Sequence, residues 1–335
     1  MDNDTIHKST LGLDNISPWL IDEWRESWGE ENTRVIADVL MEEPAHLDLS
    51  CKFHFIDDER ERLSKLEQLR LDLCVDGDAL ILPHGSIRVK NLSGSIASHP
   101  TFKNGSYWVQ DASAALPAMA LYNALKNSTR DVSSLHVVDM CAAPGGKTAQ
   151  LVSAGFGKVT AIEANKRRSR RLVENLERLE YVDKCSVAVM EGQQWLPDVG
   201  DNVAGILLDT PCSATGTGSR RPDVLRREPD LGNLLSTQQL LLTHCVDNIL
   251  QVGGVLVYST CSLLKRESED QIHKLLERKA KNGGAVVKTV PFTKGEIPGF
   301  DWSIDENGWL RVLPGVLPGE LRRCDGFFVA RLVKE

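Results

Sequence analysis

Between residues 136 and 260, short apolar runs alternate with longer amphipathic stretches. The runs lie at residues 136–140, 158–163, 186–189, 204–209 and 254–258. Each has the length of a strand and is rich in Val, Ile and Leu, as expected of strands buried on both faces. A Gly-rich turn and a helix follow the first run, and a helical stretch over residues 165–180 follows the second. Strands recurring with crossover helices predict an α/β fold with a doubly wound parallel sheet, Rossmann-like, which binds ligands beyond the carboxyl ends of its strands. Further strands near residues 285–290 and 326–332 would complete it.

The pattern before residue 107 differs. Ser17-Pro18-Trp19 reads as a helix start with Pro in the first turn. Helical patterning runs to about Met41 and again over residues 57–71. Residues 74–106 are short, Gly-punctuated and alternating, with strands expected at 79–82 and 86–89. The chain thus divides into a helical and small α+β module over 1–106 and a catalytic-type sheet domain over 107–335.

Composition agrees with a globular chain: 335 residues, 41% hydrophobic and 26% charged, enough for about two domains. No apolar run approaches the roughly 18 residues of a membrane span. Met1-Asp2-Asn3-Asp4 begins no signal or transit pattern, so a soluble, cytoplasmic, monomeric protein is expected. None of the eight cysteines (51, 74, 141, 185, 212, 245, 261 and 324) are spaced as C-x-x-C, which argues against a metal site and for free thiols. The net charge of −8 is uneven. Residues 1–80 carry 20 acids and 8 bases, leaving the remainder mildly basic, so a polyanion would lie on the C-terminal part.

Chemistry concentrates at strand ends. The first run leads into Asp139-Met140-Cys141-Ala142-Ala143-Pro144-Gly145-Gly146-Lys147-Thr148, where small residues admit a ligand to the backbone and a helix N-terminus faces it. Cys141 stands where a Walker loop needs Gly, and no G-x-G-x-x-G is present, so neither a phosphate loop nor a nicotinamide fingerprint fits. A purely structural turn remains open. Glu163 closes the second strand, the usual place for an acid that binds a ribose diol, and Asn165 is the better helix cap. Glu191 follows the third strand as an adenine-side candidate. Cys212, in Asp209-Thr210-Pro211-Cys212-Ser213, and Cys261, in Ser259-Thr260-Cys261-Ser262, sit just past adjacent strands in polar loops. Each alone reads equally as a packed hydrophobe.

Taken together, the segments Met140–Lys147, Asp209–Ser213 and Ser259–Ser262 resemble the RNA cytosine-5 methyltransferase family, most nearly the bacterial small-subunit ribosomal RNA methyltransferase B type. The similarity extends from Ser17-Pro18-Trp19-Leu20 through Val109-Gln110-Asp111-Ala112-Ser113 to Asp325-Gly326-Phe327-Phe328-Val329-Ala330. The resemblance implies S-adenosyl-L-methionine as methyl donor, held by Cys141, Ala142, Ala143, Pro144, Gly145, Gly146, Lys147, Glu163, Glu191 and Asp209. It implies Cys261 as the nucleophile on cytosine C6, Cys212 as the residue assisting loss of the C5 proton, Asp209 on the base, and Lys147 holding Asp209. The substrate would be RNA, ribosomal or transfer, although a catalytically silent assembly factor could keep the same fold. Three departures stand out: 16 residues precede Ser17, where relatives often carry a helical RNA-binding domain. Glu191 replaces a more usual Asp, and Lys265-Arg266-Glu267-Ser268 replaces Pro-Glu-Glu-Asn.

Among basic clusters, 166–171 reads as a solvated helix face. Arg220 and Arg221 follow the Pro-Cys loop directly and are expected to contact RNA phosphates. The target cytosine must be single-stranded or flippable to expose C6.

Overall fold

The computed structural model describes residues 13–42, 46–73, 78–90, 94–128, 131–282 and 286–335. The N-terminal targeting reading and Cys74 lie outside these residues. Helix α1 (Pro18–Met41) starts with Pro18 in its first turn, as its sequence dictates. The Ser17 hydroxyl does not cap it, donating instead to Arg226 O at 2.9 Å. Gly29, at φ 77° and ψ 167°, interrupts the helix midway, a conformation available to glycine because it lacks Cβ.

A small antiparallel sheet follows, built from β1 (His46–Cys51), β2 (Asp78–Ile81), β3 (Ile87–Lys90) and β4 (Tyr107–Val109) in the order β2-β3-β1-β4. Helix α2 (Glu59–Leu73) covers one face, placing Leu66, Leu69 and Leu73 against Leu49, Ile87, Val89 and Tyr107. Asp48 and Arg88 are register partners. Arg88 Nε and Nη2 each donate to the Asp48 carboxylate at 2.7 Å with both side chains buried, the bidentate geometry a buried pair needs. The edge strand β4 lies just past residue 106, so the module's sheet draws on residues 107–109.

Helix α3 (Leu116–Ser128) leads into the large sheet. Its strands are β5 (His136–Met140), β6 (Lys158–Ile162), β7 (Cys185–Ala188), β8 (Val203–Asp209), β9 (Leu250–Thr260), β10 (Val287–Thr289), β11 (Leu310–Val312) and β12 (Phe327–Lys334). The helices between them are α4 (Gly146–Ser153), α5 (Lys166–Arg178), α6 (Leu231–His244) and α7 (Glu269–Asn282). The order is β10-β12-β9-β8-β5-β6-β7, with β11 pairing β12. Strands β9, β8, β5, β6 and β7 are parallel. The last two expected strands are present as β10 and β12 but run antiparallel to their neighbours. β12 arrives from its antiparallel partner β11 without a crossover helix, and only a crossover returns a chain parallel. Between β5 and β8 the strand order reverses, opening a crevice at their carboxyl ends. Among the described residues no helix is long and apolar enough to cross a membrane, and the seven described cysteines are unpaired.

Candidate active site

After β5 the chain turns at Cys141 (φ 67°), crosses a cis Ala143–Pro144 bond and enters α4 after Gly145 (φ 103°). A Cβ at Gly145 would lie 2.6 Å from Leu172 Cδ1, so glycine lets the turn rest directly on α5. The turn is tied down on the same side: Ala142 N donates to Ile162 O at 2.9 Å, Arg168 Nη2 to Ala143 O at 2.7 Å, and Asn175 Nδ2 to Pro144 O at 2.8 Å.

Asn165 caps α5, accepting from Arg167 N and Arg168 N, as its position predicts. Glu163 is nonetheless engaged. Its carboxylate, 3% exposed, accepts from Ala143 N at 3.2 Å and Asn165 N at 2.8 Å, with Arg168 at 3.6 Å. Each oxygen keeps a further lone pair for a ligand. Glu191 stands exposed beyond β7. Glu163 and Asp209, at the ends of β6 and β8, and Glu191, three residues past β7, thus lie along the carboxyl-end rim that carries the turn, an acceptor set that fits the hydroxyls and amine of an adenosyl group.

Asp139 lies beneath the turn, 1% exposed, accepting from Thr148 Oγ1 at 2.6 Å while its Oδ1 has no protein partner. Burial pushes its carboxyl up from 3.8 to about 7. Between those values the folded chain keeps a proton that the unfolded chain has lost, so this group's contribution to stability falls as pH rises and levels off above about 7. Asp139→Asn removes the titration. Relative to that variant, the wild type should lose on the order of 4 kcal/mol between pH 4 and 8 by urea denaturation. Parallel pH profiles for the two proteins would contradict this.

Strands β8 and β9 bring the remaining residues together. Asp209 is the register partner of Ser259. One Asp209 oxygen accepts from Lys147 Nζ at 2.8 Å, the other from Ser259 Oγ at 2.9 Å. Burial opposes the Lys147 charge, but the Asp209 carboxylate outweighs it and holds the ammonium above its ordinary pKa. Cys212 and Cys261, 49 residues apart in the chain, place their sulfurs 3.5 Å apart, both partly buried. The hydrogen bond with Cys261, followed by burial, pushes the Cys212 thiol well above its usual range. Either sulfur of the pair can serve as the donor, so one proton can be held between them.

The two arginines behave differently. Arg220 is turned into the protein, donating to Asp111 at 2.7 Å and Asp325 at 3.3 Å. This internal ion cluster takes up the guanidinium that the sequence reading offers to RNA. Arg221 is half-exposed, 3.9 Å from an exposed Asp223. Sequence reasoning also overlooks Glu267, a fully buried acid behind both cysteine loops. Its signal is its place in the Lys-Arg-Glu-Ser segment, where the acid is kept although its neighbours differ from the family pattern.

The family described as 16S rRNA methyltransferase RsmB/F matches residues 125–333. Ribosomal RNA small subunit methyltransferase B of Xylella fastidiosa (strain Temecula1) is 32% identical over 324 residues, 95% of this chain and 66% of its own length. The protein of that name from Enterobacter sp. (strain 638) is 36% identical over 242 residues, 70% of this chain and 49% of its own length. The chain thus spans about half to two thirds of the length of these curated relatives. Among solved structures, a methyltransferase homologue from Pyrococcus horikoshii aligns with TM-score 0.69 at 24% identity, covering 100% of both chains. NSun6 from Pyrococcus horikoshii, solved with SFG, aligns with TM-score 0.72 at 20% identity over 96% of this chain and 99% of its own. These two share the fold.

Proposed function

Because the chain belongs to the 16S rRNA methyltransferase RsmB/F family, we propose that it methylates carbon 5 of a cytosine in ribosomal RNA through a covalent intermediate on Cys261. The observation that carries this reading is the pair of sulfurs 3.5 Å apart beside the Asp209–Lys147 pair. S-adenosyl-L-methionine supplies an electrophilic methyl when bound, with the 141–147 turn, Glu163, Glu191 and Asp209 as the residues that would hold it.

Cytosine C5 is too weak a nucleophile to take that methyl unaided. Addition of the Cys261 thiolate to C6 makes an enamine, whose C5 can attack. Cys212 then assists removal of the C5 proton, and elimination breaks the Cys261–C6 bond. Asp209 meets the N3 and N4 edge of the ring, and Lys147 keeps Asp209 in place. Arg221, with the neighbouring Arg227, offers exposed charge to the RNA backbone, whereas Arg220 is committed within the fold. A silent assembly factor has no use for all of Lys147, Asp209, Cys212 and Cys261 in this arrangement.

Bisulfite sequencing of total RNA tests the substrate. In cells lacking the protein, one cytosine of small-subunit ribosomal RNA should lose protection and regain it on complementation. Loss confined to a transfer RNA would reassign the substrate, and unchanged protection everywhere would refute the activity.

A further inference from the structure

Directly behind the two thiols lies a carboxylate that the reaction itself does not use. Glu267 is fully buried at the end of the short turn Lys265–Glu267 after β9. Its Oε1 accepts from Ser213 N at 2.9 Å and Gln238 Nε2 at 3.0 Å. Its Oε2 accepts from the hydroxyls of Ser213 and Ser262, each at 2.5 Å. Ser213 follows Cys212 and Ser262 follows Cys261, so one side chain grips the residue next to each sulfur. The four donors are neutral, so what the carboxylate provides is a geometry.

Its surroundings fix that grip. Tyr258 OH donates to Glu267 O at 2.6 Å, anchoring the backbone to β9. Gln238 on α6 also donates to Pro211 O at 2.9 Å, steadying the loop just before Cys212. Arg311 Nη1 donates to Ser262 O at 2.8 Å from the other side. Apart from the sulfur pair, the two loops also meet at their backbones and through the Ser213, Thr215 and Ser262 hydroxyls.

We propose that Glu267 is a positioning residue that sets the distance between the Cys212 and Cys261 sulfurs, and thereby the hand-over from attack to elimination. The proposal rests on the covalent reading above. The two oxygens of the carboxylate make different demands. Oε1 faces two N–H donors and must stay an acceptor, whereas Oε2 faces hydroxyls that can reverse and accept from an amide N–H. Glu267→Gln therefore preserves the clamp with its amide nitrogen at the Oε2 place. Glu267→Ala removes it and leaves buried donors unmet.

The test needs no RNA at first. Diamide takes up one hydrogen from each thiol as the Cys212–Cys261 disulfide forms, and mass spectrometry of non-reduced peptides follows the product. The wild type and Glu267→Gln should cross-link at similar rates, and Glu267→Ala more slowly by about tenfold. In parallel, kcat of Glu267→Ala should fall by about 100-fold, the scale of a displacement near 1 Å, with KM for S-adenosylmethionine unchanged and Glu267→Gln restoring turnover. Should Glu267→Ala not fold, Glu267→Asp keeps the charge, shortens the reach and should show the same deficit. Wild-type cross-linking in the Ala and Asp variants, or failure of Glu267→Gln to rescue, would overturn the proposal. So would a loss of turnover matched by an equal loss of cofactor binding. A wild type that methylates no RNA would defeat the covalent reading alone, because the cross-linking still reports the sulfur separation.

Discussion

Cys261→Ala should bring cytosine methylation to background, a loss on the order of 10⁴-fold or more, as when an enzyme loses its attacking group. The sulfur is partly buried where two apolar clusters meet, so its removal should cost only about 1 kcal/mol of stability. The Lys147–Asp209 pair and the 141–147 turn do not depend on it, and cofactor affinity should be unchanged by calorimetry. Initial rates with labelled methyl donor decide the matter. Turnover retained at more than about 1% of wild type would mean that Cys261 is not the nucleophile.

Arg220→Ala should be the most destabilising single change at the site, by about 3–5 kcal/mol in denaturant unfolding. Asp111 also accepts from Ser113 N, Ser113 Oγ and Asp325 N at 2.9, 2.6 and 3.1 Å. Burial works against its ionisation, but Arg220 and the Ser113 donors outweigh that and hold the carboxyl below its usual range. Burial, together with the neighbouring Asp111 carboxylate, pushes Asp325 upward. Removing the guanidinium leaves two buried carboxyls facing one another. The cluster also ties together three distant segments around the Cys212 loop, since Gly216 N donates to Cys261 O at 2.9 Å and Gly326 N to Gly216 O at 2.8 Å. A surface phosphate contact would cost within about 0.5 kcal/mol instead. A loss that small would return Arg220 to the RNA interface.

That arginine also marks where the sequence stops being legible. The central strands announce themselves as short apolar runs, and β5 occupies the run at 136–140. Asp209 ends β8, Cys212 and Cys261 lie just past β8 and β9, and Lys147 lies in the helix start that follows β5, so the fold class alone directs attention to one rim. Partners 105 and 109 residues away, as for Arg220, have no local signature. Glu267 is hidden for the same reason, because its grip on the first cysteine loop runs to Ser213, 54 residues away. Strand β1 escapes because Asp48 breaks its apolar pattern, and only pairing with Arg88 across the sheet makes that acid a core residue. Helix α3 is buried on most of its surface, which erases the one-sided stripe by which a surface helix is recognised. The antiparallel direction of β12 follows from a connection whose path the apolar pattern does not encode.

Denaturing electrophoresis of Cys212→Ala, Cys261→Ala and the double variant, each incubated with small-subunit ribosomal RNA and S-adenosylmethionine, tests the division of labour most directly. With Cys261 as nucleophile and Cys212 as the group that assists elimination, Cys212→Ala attacks and methylates but does not release its product. It should therefore show a protein–RNA band that survives denaturation, while Cys261→Ala and the double variant show none. A stable band from Cys261→Ala instead would reverse the two roles, and release of methylated RNA by Cys212→Ala at the wild-type rate without any band would contradict the two-cysteine account.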